Sequence, residues 1–285
     1  MFYNIECSRP RRRVKELFGQ ANHFLITSLV GLDYLSKNDV KCPESFSTVW
    51  DPRDKANSIE RSRGFLLGSF LASSVDALDS YFFLINRNPK LIPVELQTEF
   101  DSKQNARSVF NKFVLVYNKY CDVVNIRNYG ALVAMSIKWR NNLIHFNSSD
   151  SLDAQFINVL NSDAVFFEQQ CSGLDVSLAI DHFLANKTPT FKEIASIISS
   201  THRFIQELDH CLIADLDLKE FAFNVLFYSW DERSRARLKS VSKARAIGKI
   251  ANKLVFEGFN RHASVGLGKG ELEYLYDRLI GCFEQ

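Results

Sequence analysis

Residues 58–86 read SIERSRGFLLGSFLASSVDALDSYFFLIN. In this stretch Leu67, Phe70, Leu71, Ser74, Leu78, Tyr81 and Ile85 recur at steps of three and four. That spacing follows one face of an α-helix, whose side chains repeat every 3.6 residues, and not the two-residue alternation of a strand. At about 1.5 Å per residue the helix spans about 40 Å.

The same period extends outward in both directions. It predicts an earlier helix over 14–35, then helices over 105–121, 128–146, 152–169 and 176–184. Further helices follow over 190–212, 218–230, 233–259 and 270–283. Thr190 with Glu193 three residues later forms a capping box, which marks a helix start. Connections are expected near 37–54, 86–100 and 147–151. The runs Phe113 to Val116 and Ala164 to Phe167 are the only strand-like ones, and each sits inside a helical pattern. The expectation is an all-α protein whose amphipathic helices share a core, without strands.

Composition agrees. The chain has 285 residues, 46% of them hydrophobic and 24% charged, with 12 Gly and 6 Pro. This excludes disordered and collagen-like classes, and so few turn formers favour long helices over a sandwich. No run reaches the roughly 20 apolar residues of a membrane span. The opening MFYNIECSRPRRRVKELF leads its basic run straight into a helical segment, unlike a secretory signal, so a cytoplasmic location is expected. The six cysteines (Cys7, Cys42, Cys121, Cys171, Cys211, Cys282) are scattered, with no C-x-x-C pair, and read as reduced, mostly buried thiols. No His or Cys grouping has metal-ligand spacing, and no cofactor is expected. Gly266 to Gly270 reads as a helix-entry loop. The many phenylalanines read as core filling; Phe223, Phe227, Tyr228 and Trp230 read as core too, with a base-stacking platform as the alternative.

Charge is uneven. The net formal charge is +2, yet Asp231 to Arg261 carries nine Lys or Arg against three Asp or Glu. Arg233, Arg235, Arg237, Lys239, Lys243 and Arg245 lead this run, and on one continuous helix several of them would share a face. Such a stripe on an otherwise slightly acidic body suits RNA phosphates as well as it suits a solvated helix. Arg9, Arg11, Arg12 and Arg13 form a smaller cluster with the same two readings.

Chemistry concentrates in Lys138-Trp139-Arg140-Asn141-Asn142-Leu143-Ile144-His145-Phe146, at the end of a predicted helix. Leu132, Ser136, Trp139, Leu143 and Phe146 are read as its core stripe, with Arg140, Asn141 and His145 off it. Asn141 and His145, four apart, are neighbours on a helix surface, so the amide can orient the imidazole. Imidazole titrates near neutrality and suits a general base. A guanidinium grips phosphate oxygens at two points.

Arg140-Asn141, three further residues and His145 resemble the R-x4-6-H signature of the HEPN superfamily. The upstream segment Ser74 to Tyr81 is similar to the family helix that carries an acidic residue near the catalytic pair; Asp79 is the better match and Asp76 the second. The resemblance covers roughly residues 14–212 and implies a helical bundle, taken as residues 12–215; residues 216–285, which match only loosely, are expected to form a basic helical extension packed on it. It also implies a metal-independent endoribonuclease leaving 2′,3′-cyclic phosphate and 5′-hydroxyl ends. His145 would be the base, Arg140 the phosphate grip, Asn141 and Asp79 their orienting groups. A homodimer with a composite active site is implied, as is a toxin or antiviral-defence role under an antitoxin or other regulatory protein. The alternative is a catalytically inactive HEPN-like module that binds nucleotide or a protein partner.

Overall fold

The computed structural model describes residues 1–144 and 148–282. Among these the fold is all-α, with thirteen α-helices and one pair of three-residue strands. The chain divides into two compact units, and neither is continuous in sequence. One comprises Met1–Arg13, Ser80–Arg107 and the described residues from Gln206 onward; the other comprises Val14–Asp79 and the described part of Ser108–Ile205. The stretch from residue 216 onward therefore lies in the first unit, together with residues 1–13 and 80–107. Helices α1 (Arg9–Lys37), α2 (Lys55–Ile85) and α9 (Phe191–Ala214) contribute residues to both.

In the second unit α5 (Val124–Ile144) packs between α4 (Val109–Tyr120) and α6 (Ala154–Ser162). It is buried almost all round from Ile126 to Trp139. The single core stripe expected for it was too narrow, because α5 is a central helix with packed neighbours on several sides; Leu143, counted in that stripe, is only half-buried. Phe113 and Tyr117 of α4 pack at tilted and edge-on angles against Phe156 of α6 and Phe204 of α9, at centroid distances of 5.9, 5.0 and 5.3 Å for the pairs Phe113–Phe156, Tyr117–Phe156 and Phe113–Phe204. Gly130 permits this approach, since a Cβ there would lie 2.6 Å from the Tyr117 ring. Ser108 caps α4, its hydroxyl accepting from Asn111 N at 3.2 Å. The Thr190–Glu193 capping box is present: Thr190 N donates to Glu193 Oε2 at 2.6 Å and Glu193 N to Thr190 Oγ1 at 3.3 Å.

The expected helix over 152–169 is two helices, α6 and α7 (Ala164–Gln170), broken at Asp163, whose backbone leaves the helical region (φ −108°, ψ 27°). Helix α8 (Val176–Leu184) has the predicted bounds.

In the first unit α3 (Val94–Phe100) occupies part of a stretch expected to be a connection. It starts directly after Pro93, which has no N–H to contribute, and buries Phe100 edge-on against Phe82 at 6.0 Å. β1 (Phe2–Asn4) pairs antiparallel with β2 (Asn260–His262), with Tyr3 opposite Arg261. This corrects the expectation of no strands. Helix α10 (Leu218–Ser229) packs on α12 (Lys243–Glu257) and α13 (Lys269–Gly281). The expected helix over 233–259 is interrupted: α11 (Glu232–Lys239) ends at Ser240 and α12 starts after Ser242. All six cysteines are free thiols, but only Cys171 is buried. Cys7, Cys42, Cys121 and Cys282 lie in connections or at helix ends, where packing is thinner. Among the described residues no helix is long and apolar enough to cross a membrane.

Candidate functional site

Arg140 and Asn141 lie near the C-terminal end of α5. The Arg140 side chain keeps 17% of its surface exposed, and its Nη2 meets Asp76 Oδ1 of α2 at 3.5 Å. Asp76 is 75% exposed there, so the pair opens to solvent on its acidic side. Arg140 Nε is buried without a hydrogen-bond partner among the described residues. A guanidinium has five N–H donors in a fixed fork. This one makes one long ion contact and keeps donor capacity for an anion.

Asp79, the preferred acidic candidate, does not face Arg140. Its carboxylate takes the ammonium of Lys112 on α4, whose side chain is 9% exposed. The structure thus brings the second candidate, Asp76, to the motif arginine and commits Asp79 to a buried lysine. Three residues along a helix turn about 300°, so the two carboxylates point about 60° apart and reach different neighbours.

The Asn141 amide donates through Nδ2 to Asp150 Oδ2 at 2.9 Å. Asn142 grips the same residue by its backbone: Asp150 N donates to Asn142 Oδ1 at 2.7 Å, and Asn142 Nδ2 donates to Asp150 O at 3.0 Å. Lys138 Nζ approaches Asp150 Oδ2 at 3.8 Å and sits 4.0 Å from the centroid of the Phe110 ring. Asn142 and Asp150 were not singled out from sequence, although two consecutive amides before a polar loop are the signal of a helix end held by side chains. His145 and Phe146 lie outside the described residues. Trp139 is fully buried, its Nε1 donating to Lys187 O at 2.9 Å.

The basic segment is not one stripe. Arg233 and Arg237 on α11, and Arg245 on α12, are exposed, as is Lys239. Arg235 lies over the Phe227 ring at 4.5 Å, and Lys243 makes a two-point ion pair with Asp277 at 2.9 and 3.0 Å. The break at 240–242 ends the shared face that a single helix would have given. Of the aromatic residues on α10, Phe223 is buried and has the Arg278 guanidinium 3.8 Å from its centroid, while Tyr228 is exposed. Among the described residues no group of three or more His, Cys, Asp or Glu side chains is placed to hold a metal ion. Compared with known protein families, with curated proteins and with solved structures, the chain has no match.

Proposed function

We propose that this protein is a metal-independent endoribonuclease of the HEPN type, cutting RNA to 2′,3′-cyclic phosphate and 5′-hydroxyl ends. The observation that supports the reading is the pairing of motif Arg140 with an acidic residue of α2, here Asp76. RNA brings its own nucleophile, the 2′-hydroxyl. His145 takes its proton, and Arg140 donates to the non-bridging oxygens as charge builds on phosphorus. Asp76 meets the guanidinium by one long contact on its solvent side. Asn141 is spent on Asp150, so its part is to fix the end of α5 beneath the motif. Each chain carries one copy of the Arg-Asn form of the motif, at Arg140-Asn141 with His145, and splitting acid and base duties between two copies calls for a twofold dimer with a composite groove. Arg233, Arg237, Lys239 and Arg245 supply exposed charge for RNA backbone. A toxin or antiviral-defence setting, with a protein that restrains the enzyme, follows from the same reading.

One observation favours a second reading, a catalytically inactive helical module that binds nucleotide or a protein partner. Arg140 is mostly enclosed, and both motif amides serve the loop at Asp150. The two separate in one experiment. Purified protein is incubated with RNA in the presence of EDTA, beside Arg140→Ala and His145→Ala, with melts of all three. The ribonuclease reading expects cleavage that survives chelation and falls about 100-fold or more in each variant, with folding retained. No cleavage by the parent protein, or loss only through unfolding, supports the inactive module.

A further inference from the structure

The first unit contains a cavity of about 490 Å³, within the size range of small-molecule sites. Its walls are chemically divided. Arg9, Arg12 and Arg13 from the first turns of α1, with Arg87 from the segment after α2, stand against a single carboxylate, Glu257. The rest is mostly apolar: Leu84, Leu91, Phe221 and Val225 line it with prolines 10 and 89. In its wall the hydroxyl oxygen of Ser229 is buried without a hydrogen-bond partner among the described residues. A buried hydroxyl is costly to leave unpaired, and such groups usually have an explanation.

The arginine-bearing turn is fixed from beneath. Ser8 N donates to Asp209 Oδ2 at 3.0 Å, and its hydroxyl donates to Asp209 Oδ1. Ser8 Oγ in turn accepts from Arg11 N at 3.2 Å, capping α1. Arg9 is tied to Glu257, which also holds Lys253 at 2.6 Å, so the one carboxylate is already neutralised. Arg12 lies against Gly258, the left-handed end of α12 (φ 112°), where any Cβ would collide with its guanidinium. Arg12 and Arg87 form no ion pair with a carboxylate among the described residues. Among the described residues Arg12 and Arg87 thus bring two charges without carboxylate partners to one cavity, beside the paired Arg9.

We propose that this cavity binds a small phosphate ester with an apolar or aromatic body: the phosphate on the arginines and the body against Leu84, Leu91, Phe221 and Val225. Several guanidinium forks match the three terminal oxygens of a phosphate ester better than a carboxylate, which one fork satisfies. The N-terminal end of α1 adds partial positive charge. The site is separate from the ribonuclease motif, and its test does not depend on cleavage.

The test is titration calorimetry on the whole protein with phenyl phosphate, against inorganic phosphate, phenol and octanoate. Phenyl phosphate is expected to bind at least about ten-fold more tightly than each of the other three, which lack its apolar body, its charge or its third oxygen. Arg12→Gln and Arg87→Gln, both exposed positions, are each expected to weaken it about ten-fold while leaving the melting temperature unchanged. The proposal is overturned if phenyl phosphate does not bind at about millimolar concentration. It is overturned equally if inorganic phosphate matches it, if phenol or octanoate binds as well, or if neither arginine variant changes its affinity.

Discussion

Asp209→Asn tests the frame of the first unit. Asp209 is fully buried, and its carboxylate accepts from Ser8 N at 3.0 Å, from the Ser8 hydroxyl, and from Tyr81 OH at 3.1 Å. The asparagine keeps the shape but exchanges one acceptor oxygen for an N–H₂ group. Hydroxyls can turn to meet the new donor, whereas a backbone N–H cannot. In either amide orientation at least one buried donor loses its acceptor. A hydrogen bond to a charged group contributes about 1.5–3 kcal/mol, and an unsatisfied buried donor costs about 1–3 kcal/mol more. Relief from burying a charge offsets part of this. The net expected loss is about 2–4 kcal/mol, a large share of the roughly 5–15 kcal/mol of a folded domain. Tyr81→Phe removes one donor and should cost about 1 kcal/mol. In the Asp209→Asn background it should cost less, since its partner is already impaired, which leaves a coupling of about 0.5–1 kcal/mol. Urea unfolding followed by circular dichroism measures all four proteins. A loss below about 0.5 kcal/mol in Asp209→Asn, or strictly additive losses, would refute the account of Asp209 as the shared acceptor.

Alkaline unfolding provides a second check. Burial pushes the Tyr117 hydroxyl up to about 12, and burial together with the Asp209 carboxylate pushes Tyr81 well above 10. Both folded values exceed the unfolded one, so the stabilisation is complete below about pH 10 and is lost as pH rises from there through the folded values; stability curves of Tyr81→Phe and Tyr117→Phe should each be flatter in that window, and an unchanged slope would contradict the shifts. Gly130→Ala should destabilise by about 1–3 kcal/mol through overpacking, because its Cβ would meet the Tyr117 ring at 2.6 Å and Phe204 at 3.3 Å; a neutral result in a thermal melt would mean that α4 and α5 can part without cost. Asp79→Asn should destabilise clearly, by about 3–5 kcal/mol at most, because it strands the buried Lys112, while Asp76→Asn should stay within about 0.5 kcal/mol; paired melts and cleavage assays decide, and the reverse order would reverse their assignment.

Helix identity was legible wherever the apolar period ran long. The stripe from Leu67 to Ile85 foretold α2 (Lys55–Ile85), and the capping box foretold the start of α9. The breaks were not legible for a physical reason. Asp163 and Ser240 to Ser242 carry no glycine or proline, and their neighbours keep the helical period on both sides, so only tertiary packing turns the chain there. Helix α3 is too short for its period to register, although Pro93 before it was a usable start signal. Strands of three residues have no alternation to read, and β1 finds its partner at the far end of the chain. The fixed ends of α5 were hidden as well. Asn142 and Asp150 act through backbone hydrogen bonds, which residue type suggests but spacing does not specify.

The motif itself shows what spacing can and cannot assign. Asp76 and Asp79 belong to one helix turn, and either fits an acidic residue near Arg140. What separates them is the company each keeps. Lys112 is buried, and an ammonium in that position needs a carboxylate whatever else the protein does. Asp79 meets that need and is thereby withdrawn from the surface chemistry of Arg140. Asp76, three-quarters exposed, has no such obligation and touches the guanidinium at the limit of an ion pair. A contact that long is weak in water-facing surroundings. A phosphate that reaches the exposed part of the Arg140 guanidinium therefore competes with little. The same geometry that ties Asp79 to Lys112 leaves Arg140 with one long, weak ion contact, and it is how far that guanidinium can be reached, more than the motif's spelling, that decides the ribonuclease reading.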